Sequence, residues 1–137
     1  MKFGFVGLCA ILWAGRAKAE TPALAYETAW TRTPGAEACP STSVLERAVA
    51  RYLGSPSEVE AARVFEASVS RGETGFVVVL RVRSREGATL GERELRDASA
   101  DCGNILEATA FAIALAVDPE RAMQKHARCL RCARSSA

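Results

Sequence analysis

The sequence predicts an α+β domain: an antiparallel three- or four-stranded sheet, two main helices packed on one face, and a short C-terminal helix. Three observations predict it. Residues 64–96 hold three strand-like segments joined by turns too short for a crossover. Residues 43–53 and 102–117 repeat apolar side chains at helical spacing and carry helix start signals. Glycine or proline punctuates the junctions.

The first element is one the working protein is expected to lose. Lys2 opens the chain with a positive charge, Phe3 to Gly15 is apolar without a charge, and Ala17-Lys18-Ala19 precedes Glu20. That order is a secretory signal peptide with a small-x-small cleavage site. The apolar run is too short for a spanning helix. Cys9 lies inside it, which raises a lipid anchor as an alternative, but Leu8 stands where lipid attachment wants a small residue. Cleavage leaves a single domain over residues 20–119 and a basic, cysteine-containing tail over 120–137. It also removes Lys2, Arg16 and Lys18, so 18 basic residues fall to 15 against 16 acidic ones. The basic balance of the full chain is therefore partly the leader's, and no nucleic-acid partner is expected.

Ala25 to Thr31 alternates Tyr26, Thr28 and Trp30 and reads as a first strand, ended by Pro34-Gly35. Ser43 with Glu46 makes a capping box for the next helix, with Ser41 as the competing N-cap. Leu45, Ala48, Val49, Tyr52 and Leu53 form its apolar stripe, and Gly54 stops it. Val64 to Arg71 puts Phe65, Ala67 and Val69 on one face. Phe76 to Ser84 is β-branched and nearly continuous, which marks a central strand. Thr89 to Arg96 is the third strand of the meander. A two-residue Glu86-Gly87 turn between these last two would set Arg81 opposite Glu92.

Asp101 or Ser99 caps the second helix. From Ile105 to Val117 only Glu107 and Thr109 are polar, and a helix apolar all round is a buried one. Asp118-Pro119 then restarts the chain, and Glu120 to about Arg128 reads as a short basic helix.

The exported context governs the cysteines. Four remain after the leader, Cys39, Cys102, Cys129 and Cys132, and four allow three pairings. Cys39 and Cys102 each sit at or just before a helix start, and two helices on one side of a sheet can bring those starts together. A Cys39–Cys102 disulfide is the favoured reading; a thiol activated by a helix N-terminus is the other. Cys129 and Cys132 form a C-x-x-C, but only five residues follow, so a thioredoxin-like fold cannot be built on it. Haem attachment needs His after the second cysteine, and Ala133 stands there. His126, Cys129 and Cys132 are spaced three apart and are candidate metal ligands, one short of a structural zinc set. A local or intermolecular disulfide is the favoured reading of the pair.

Other chemistry is thin. His126 is the only histidine, lies beside Lys125 and Arg128, and reads as a solvated surface residue. Glu92 and Glu94 share a strand face with Arg81, Arg83 and Arg85 alternating next door, so they read as cross-strand ion pairs rather than an acid/base pair. The glycines lack the strand–loop–helix order of a phosphate loop. No catalytic residue and no cofactor is expected. The tail carries Arg121, Lys125, Arg128, Arg131 and Arg134 against Glu120 alone; a solvated, dispensable tail is favoured over an anion-binding one.

Glu37-Ala38-Cys39-Pro40, the helix end Tyr52-Leu53-Gly54, the hairpin end Gly91-Glu92-Arg93-Glu94-Leu95, Asp101-Cys102 and the alanine-rich helix closing at Asp118-Pro119 together resemble a recurrent small domain of uncharacterised bacterial cell-envelope proteins. The likeness spans about residues 25–119 and excludes the Cys129/Cys132 tail. It implies export, periplasmic or secreted, and names no reaction. The expectation is a non-catalytic binding or structural module whose partner is another envelope protein, held on the open sheet face or an edge strand, with no membrane span after cleavage. The rival expectation is a thiol-redox or metal-binding protein using Cys129 and Cys132.

Overall fold

The computed structural model describes residues 25–55 and 61–135. The expected leader and its cleavage site lie outside them. In chain order the elements are β1 (Tyr26–Arg32), α1 (Thr42–Leu53), β2 (Arg63–Arg71), β3 (Phe76–Ser84), β4 (Thr89–Asp97), α2 (Cys102–Val117) and α3 (Pro119–Ser135). The sheet order is β1-β2-β3-β4. The fold is α+β, and the strongly β-branched β3 is internal as expected.

One part of the sheet expectation is corrected. β2, β3 and β4 form the antiparallel meander, but β1 pairs with β2 in parallel, Thr28 beside Phe65 and Trp30 beside Ala67. The physical reason is the connection. Between Arg32 and Arg63 the chain runs out along α1, and a crossover of that length allows a strand to return in the same direction. The sheet is mixed.

Alternation along each strand sends Tyr26 and Trp30, then Phe65, Ala67 and Val69, then Phe76, Val78 and Leu80 to the helix-covered face, where all are buried. α1 packs on β1 and α2; α2 packs on β3 and β4; α3 rests on α1 and α2. Leu45 and Val49 of α1 and Ile105, Leu106 and Ile113 of α2 close the core with at most 1–2% exposure. Thr109, the buried polar residue of α2, donates its hydroxyl to Ile105 O at 2.7 Å, so its burial leaves no donor unpaired. Among the described residues no helix is long and apolar enough to cross a membrane.

The caps follow the sequence with one exception. Asp101 accepts from Gly103 N at 2.8 Å and starts α2. Asp118 accepts from Arg121 N at 3.0 Å and starts α3, with Pro119 next. At α1 the Ser43–Glu46 capping box does not form. Ser41 is the N-cap, Ser43 lies inside the first turn, and the two hydroxyls stand 3.0 Å apart.

The β3–β4 hairpin reaches the expected register by an unexpected path. Ser84 N–H donates to Ala88 O (2.8 Å) and Gly87 N–H to Ser84 O (2.9 Å). The loop is therefore Arg85-Glu86-Gly87, three residues long, with Gly87 at φ +88°. An irregularity between Val82 and Arg83, opposite Leu90, absorbs the extra residue, and Arg81 still faces Glu92. At the other hairpin, Gly75 sits at φ +71°, and a Cβ there would stand 1.9 Å from Asp97 O. The chain leaving β4 passes directly over that glycine.

Cys39 and Cys102 form a disulfide with Cα atoms 5.3 Å apart, closing a loop of 63 residues. It joins the chain just before α1 to the first residue of α2.

Candidate functional site

A concavity lies between β1 and α1. Tyr26, Glu27 and Thr28 form its strand side, Ser43, Glu46, Arg47 and Ala50 its helix side, and Ser55 its end; the volume is about 540 Å³. The strand side follows from the position of β1 at the edge of the sheet. In a ladder, alternate residues turn their main-chain groups toward the neighbouring strand. Thr33 N–H donates to Val69 O at 2.9 Å, which phases the ladder. Glu27, Ala29 and Thr31 therefore face β2, and Tyr26, Thr28 and Trp30 face outward. The Trp30 carbonyl is already taken, accepting from the Thr42 hydroxyl at 3.3 Å. The indole of Trp30 donates to Pro40 O at 2.9 Å, and Arg32 donates to Glu37 O and Cys39 O. The loop before α1 thus covers the far end of the edge. The near end, Tyr26 to Thr28, opens onto the groove.

The helix side is polar because the stripe of α1 turns the other way. Leu45, Ala48, Val49 and Leu53 are buried, which sends Ser43, Glu46, Arg47 and Ala50 toward the groove. Tyr26 closes the floor. Its hydroxyl donates to Gly54 O at 3.1 Å. Burial pushes its phenol above the ordinary range, and the Glu46 carboxylate adds to that. The site can accept main-chain hydrogen bonds, one carboxylate–guanidinium pair and a small side chain.

The thiols stand elsewhere. Cys129 and Cys132 are exposed on α3, which runs well past the expected end at Arg128. Their three-residue spacing puts them on neighbouring turns of one helix. His126 does not join them. Its ring stacks on Phe111 of α2 with centroids 4.6 Å apart, and Phe111 in turn meets Tyr52 of α1 at 5.4 Å. The solvated His126 of the sequence reading is corrected: it is half-buried in a contact between helices. Burial pushes the Tyr52 phenol up, Glu107 and Cys129 add to the shift, and Arg51 opposes it. Arg51 and Glu107 are themselves an ion pair across α1 and α2. Among the described residues, no three His, Cys, Asp or Glu side chains are arranged to hold a metal ion.

The open sheet face carries the expected cross-strand pair, Arg81 meeting Glu92 at 2.6 Å. The other two pairs differ from expectation: Arg83 meets Glu66 of β2 at 3.0 Å, and Glu94 meets Arg96 of its own strand at 2.5 Å. All lie at least 40% exposed, so each contributes little to stability. Glu92 and Glu94 are both exposed on β4.

The basic tail is also not what its composition implied. Arg121 turns inward, donating to Leu53 O at 2.8 Å beside Asp118, and Ala122 is fully buried. Its first turns are seated against α1 and α2, and residues 127–134 are exposed throughout. The sequence could not show the β1 groove. Its strand residues alternate like any half-buried strand, and its helix residues read as a solvated face.

No family model and no curated protein matches the chain. A solved structure of a candidate lipoprotein from Caulobacter crescentus CB15 is similar at 16% identity, over 75% of this chain and 91% of that one, with a TM-score of 0.39. A likeness that weak carries no argument.

Proposed function

We propose that this chain is a non-catalytic, exported module of the bacterial cell envelope that binds an extended segment of another envelope protein. The leader-like start over residues 1–19 and the Cys39–Cys102 disulfide support export into an oxidising compartment. The observation that carries the binding role is the junction of a polar groove with a main-chain edge to which no other described strand pairs. Tyr26 and Thr28 offer outward N–H and C=O groups, and the cavity beside them presents Ser43, Glu46 and Arg47. A segment adding to that edge takes main-chain hydrogen bonds from β1 and places one side chain into the groove.

The test is a photo-crosslinker at Ala50 in the exported protein, with and without Thr28→Pro. Proline removes an outward N–H and is tolerated on an edge strand. A discrete adduct that Thr28→Pro abolishes, with the thermal midpoint unchanged, is expected. No adduct, or one indifferent to Thr28→Pro, defeats the reading.

One observation favours a second reading. Cys129 and Cys132 are both exposed and one turn apart. A thiol-redox or metal-binding role would use them. Zinc titration with maleimide labelling separates the two readings: stoichiometric zinc that protects both thiols supports the second, and unprotected labelling excludes zinc binding there.

A further inference from the structure

We propose that β4 is a self-recognition edge: two copies of this chain join β4 to β4 in antiparallel register, centred on Leu95, to make one continuous sheet. The site is at the opposite edge of the sheet from the β1 groove and independent of it.

β4 is the outer strand on its side, and every residue from Thr89 to Glu94 is exposed. An uncovered edge offers a row of unpaired main-chain groups and pairs with another chain unless something prevents it. Charge is the usual deterrent, and β4 is charged, reading Glu92-Arg93-Glu94-Leu95-Arg96-Asp97. The order of the charges decides between deterrence and recognition.

A two-fold axis perpendicular to the sheet keeps both copies facing the same way. Residues opposite one another then lie on the same face, and the axis passes through one residue, which meets itself. An axis at Glu92, Arg93, Glu94, Arg96 or Asp97 sets two like charges together at the centre. An axis at Gly91 matches no opposite charges. An axis at Leu95 sets Leu95 on Leu95, Glu94 on Arg96 and Arg93 on Asp97, and the symmetry repeats both charge pairs. Only this register within the strand is free of like-charge contacts and also complementary. Opposite charges directly across strands stabilise pairing, and like charges oppose it.

The faces agree. Leu95 pairs with Val78, whose side chain is buried under the helices, so Leu95, Arg93 and Asp97 lie on the helix side. Leu95 is half-buried in one copy and would be covered by its twin. Glu94 and Arg96 lie on the open face, paired within their own strand at 2.5 Å and well exposed. Each is within reach of the opposite partner in a second copy. The irregularity that twists β4 sits at Leu90, outside the pairing segment.

The test is light scattering and sedimentation, up to about 200 µM, of the chain carrying Cys129→Ser and Cys132→Ser, since dimerisation follows mass action. A dimer is expected with the Cys39–Cys102 bond intact. Arg96→Glu places Glu opposite Glu94 and should weaken dimerisation about tenfold or more. Adding Glu94→Arg to it reverses both charges and should restore the dimer. Leu95→Cys, in a chain with Cys129→Ser and Cys132→Ser, should cross-link to itself on mild oxidation. A monomer at the highest concentration overturns the proposal. So does a dimer that forms only when Cys129 and Cys132 are present, that Arg96→Glu leaves unchanged, or that the double charge exchange fails to restore while the chain stays folded by circular dichroism.

Discussion

α2 and α3 are successive helices of 16 and 17 residues joined through Asp118, and they are held in place by opposite means. α2 is placed by desolvation. Its residues Ile105, Leu106, Ala110, Ile113 and Ala114 are buried against the sheet and α1, and the disulfide fixes its first residue. α3 is placed by a few pointed contacts in its first two turns: the Asp118 cap, Arg121 on Leu53 O, buried Ala122 and the His126–Phe111 stack. From residue 127 to 134 it is exposed throughout. The lesson is that a helix's polarity says how much of it is buried, not whether it is docked. One buried alanine and one ring seat a helix that is polar almost everywhere else.

The largest test of this contrast is Ile113→Asp. A carboxylate at a site with 0% exposure has no partner, and the cost, on the order of 5 kcal/mol, is comparable with the whole stability of a domain. No cooperative melt should be seen by circular dichroism. A soluble, cooperatively folding variant would mean α2 is not the centre of the core.

Cys39→Ser comes next. Opening a 63-residue loop should cost roughly 4 kcal/mol by chain entropy, read as a lower urea midpoint, and reductant should do the same to the parent. A midpoint unchanged by either would leave desolvation alone holding α2.

Deleting residues 121–137 removes Arg121, Ala122 and His126 together. A loss of about 2–3 kcal/mol is expected, enough to lower the thermal midpoint by roughly 10 °C in a domain of this size. That exceeds the effect of losing a dispensable tail, because Ala122 and His126 look solvated only when their neighbours in the chain are all that is seen. Deleting residues 129–137 is the sharpest control. Residues 129–134 are exposed, and their removal with the end of the chain should change stability by less than about 0.5 kcal/mol. Equal losses from the two deletions would show the contacts at Arg121 to His126 to be inert.

Legibility in the sequence followed the range of the cause. The meander, the buried α2 and the caps at Asp101 and Asp118 are set by residues a few positions apart, and periodicity reads them. The parallel return of β1 depends on how α1 crosses the sheet, and alternation is blind to strand direction. The Phe111–His126 stack joins residues 15 positions apart on two helices whose angle no local pattern encodes. The hairpin at Gly87 is the instructive case. A two-residue turn and a three-residue turn followed by a bulge give the same register at Arg81 and Glu92, so the right pairing was legible from the wrong turn. The β1 groove was not legible, because it exists only once α1 lies beside the edge.

The disulfide has a mechanical consequence. Cys39 and Cys102 bracket α1, β2, β3 and β4, so a pull on the two ends of the chain passes through the bond and around that whole loop. Tension can strip away β1 on one side and unravel α2 and α3 on the other. It cannot extend the meander between them. At about 3.5 Å per residue, roughly 220 Å of contour stays hidden until the bond is reduced. An envelope protein stretched between two attachments would yield only its flanks, and reduction would release the remaining length in a single added step.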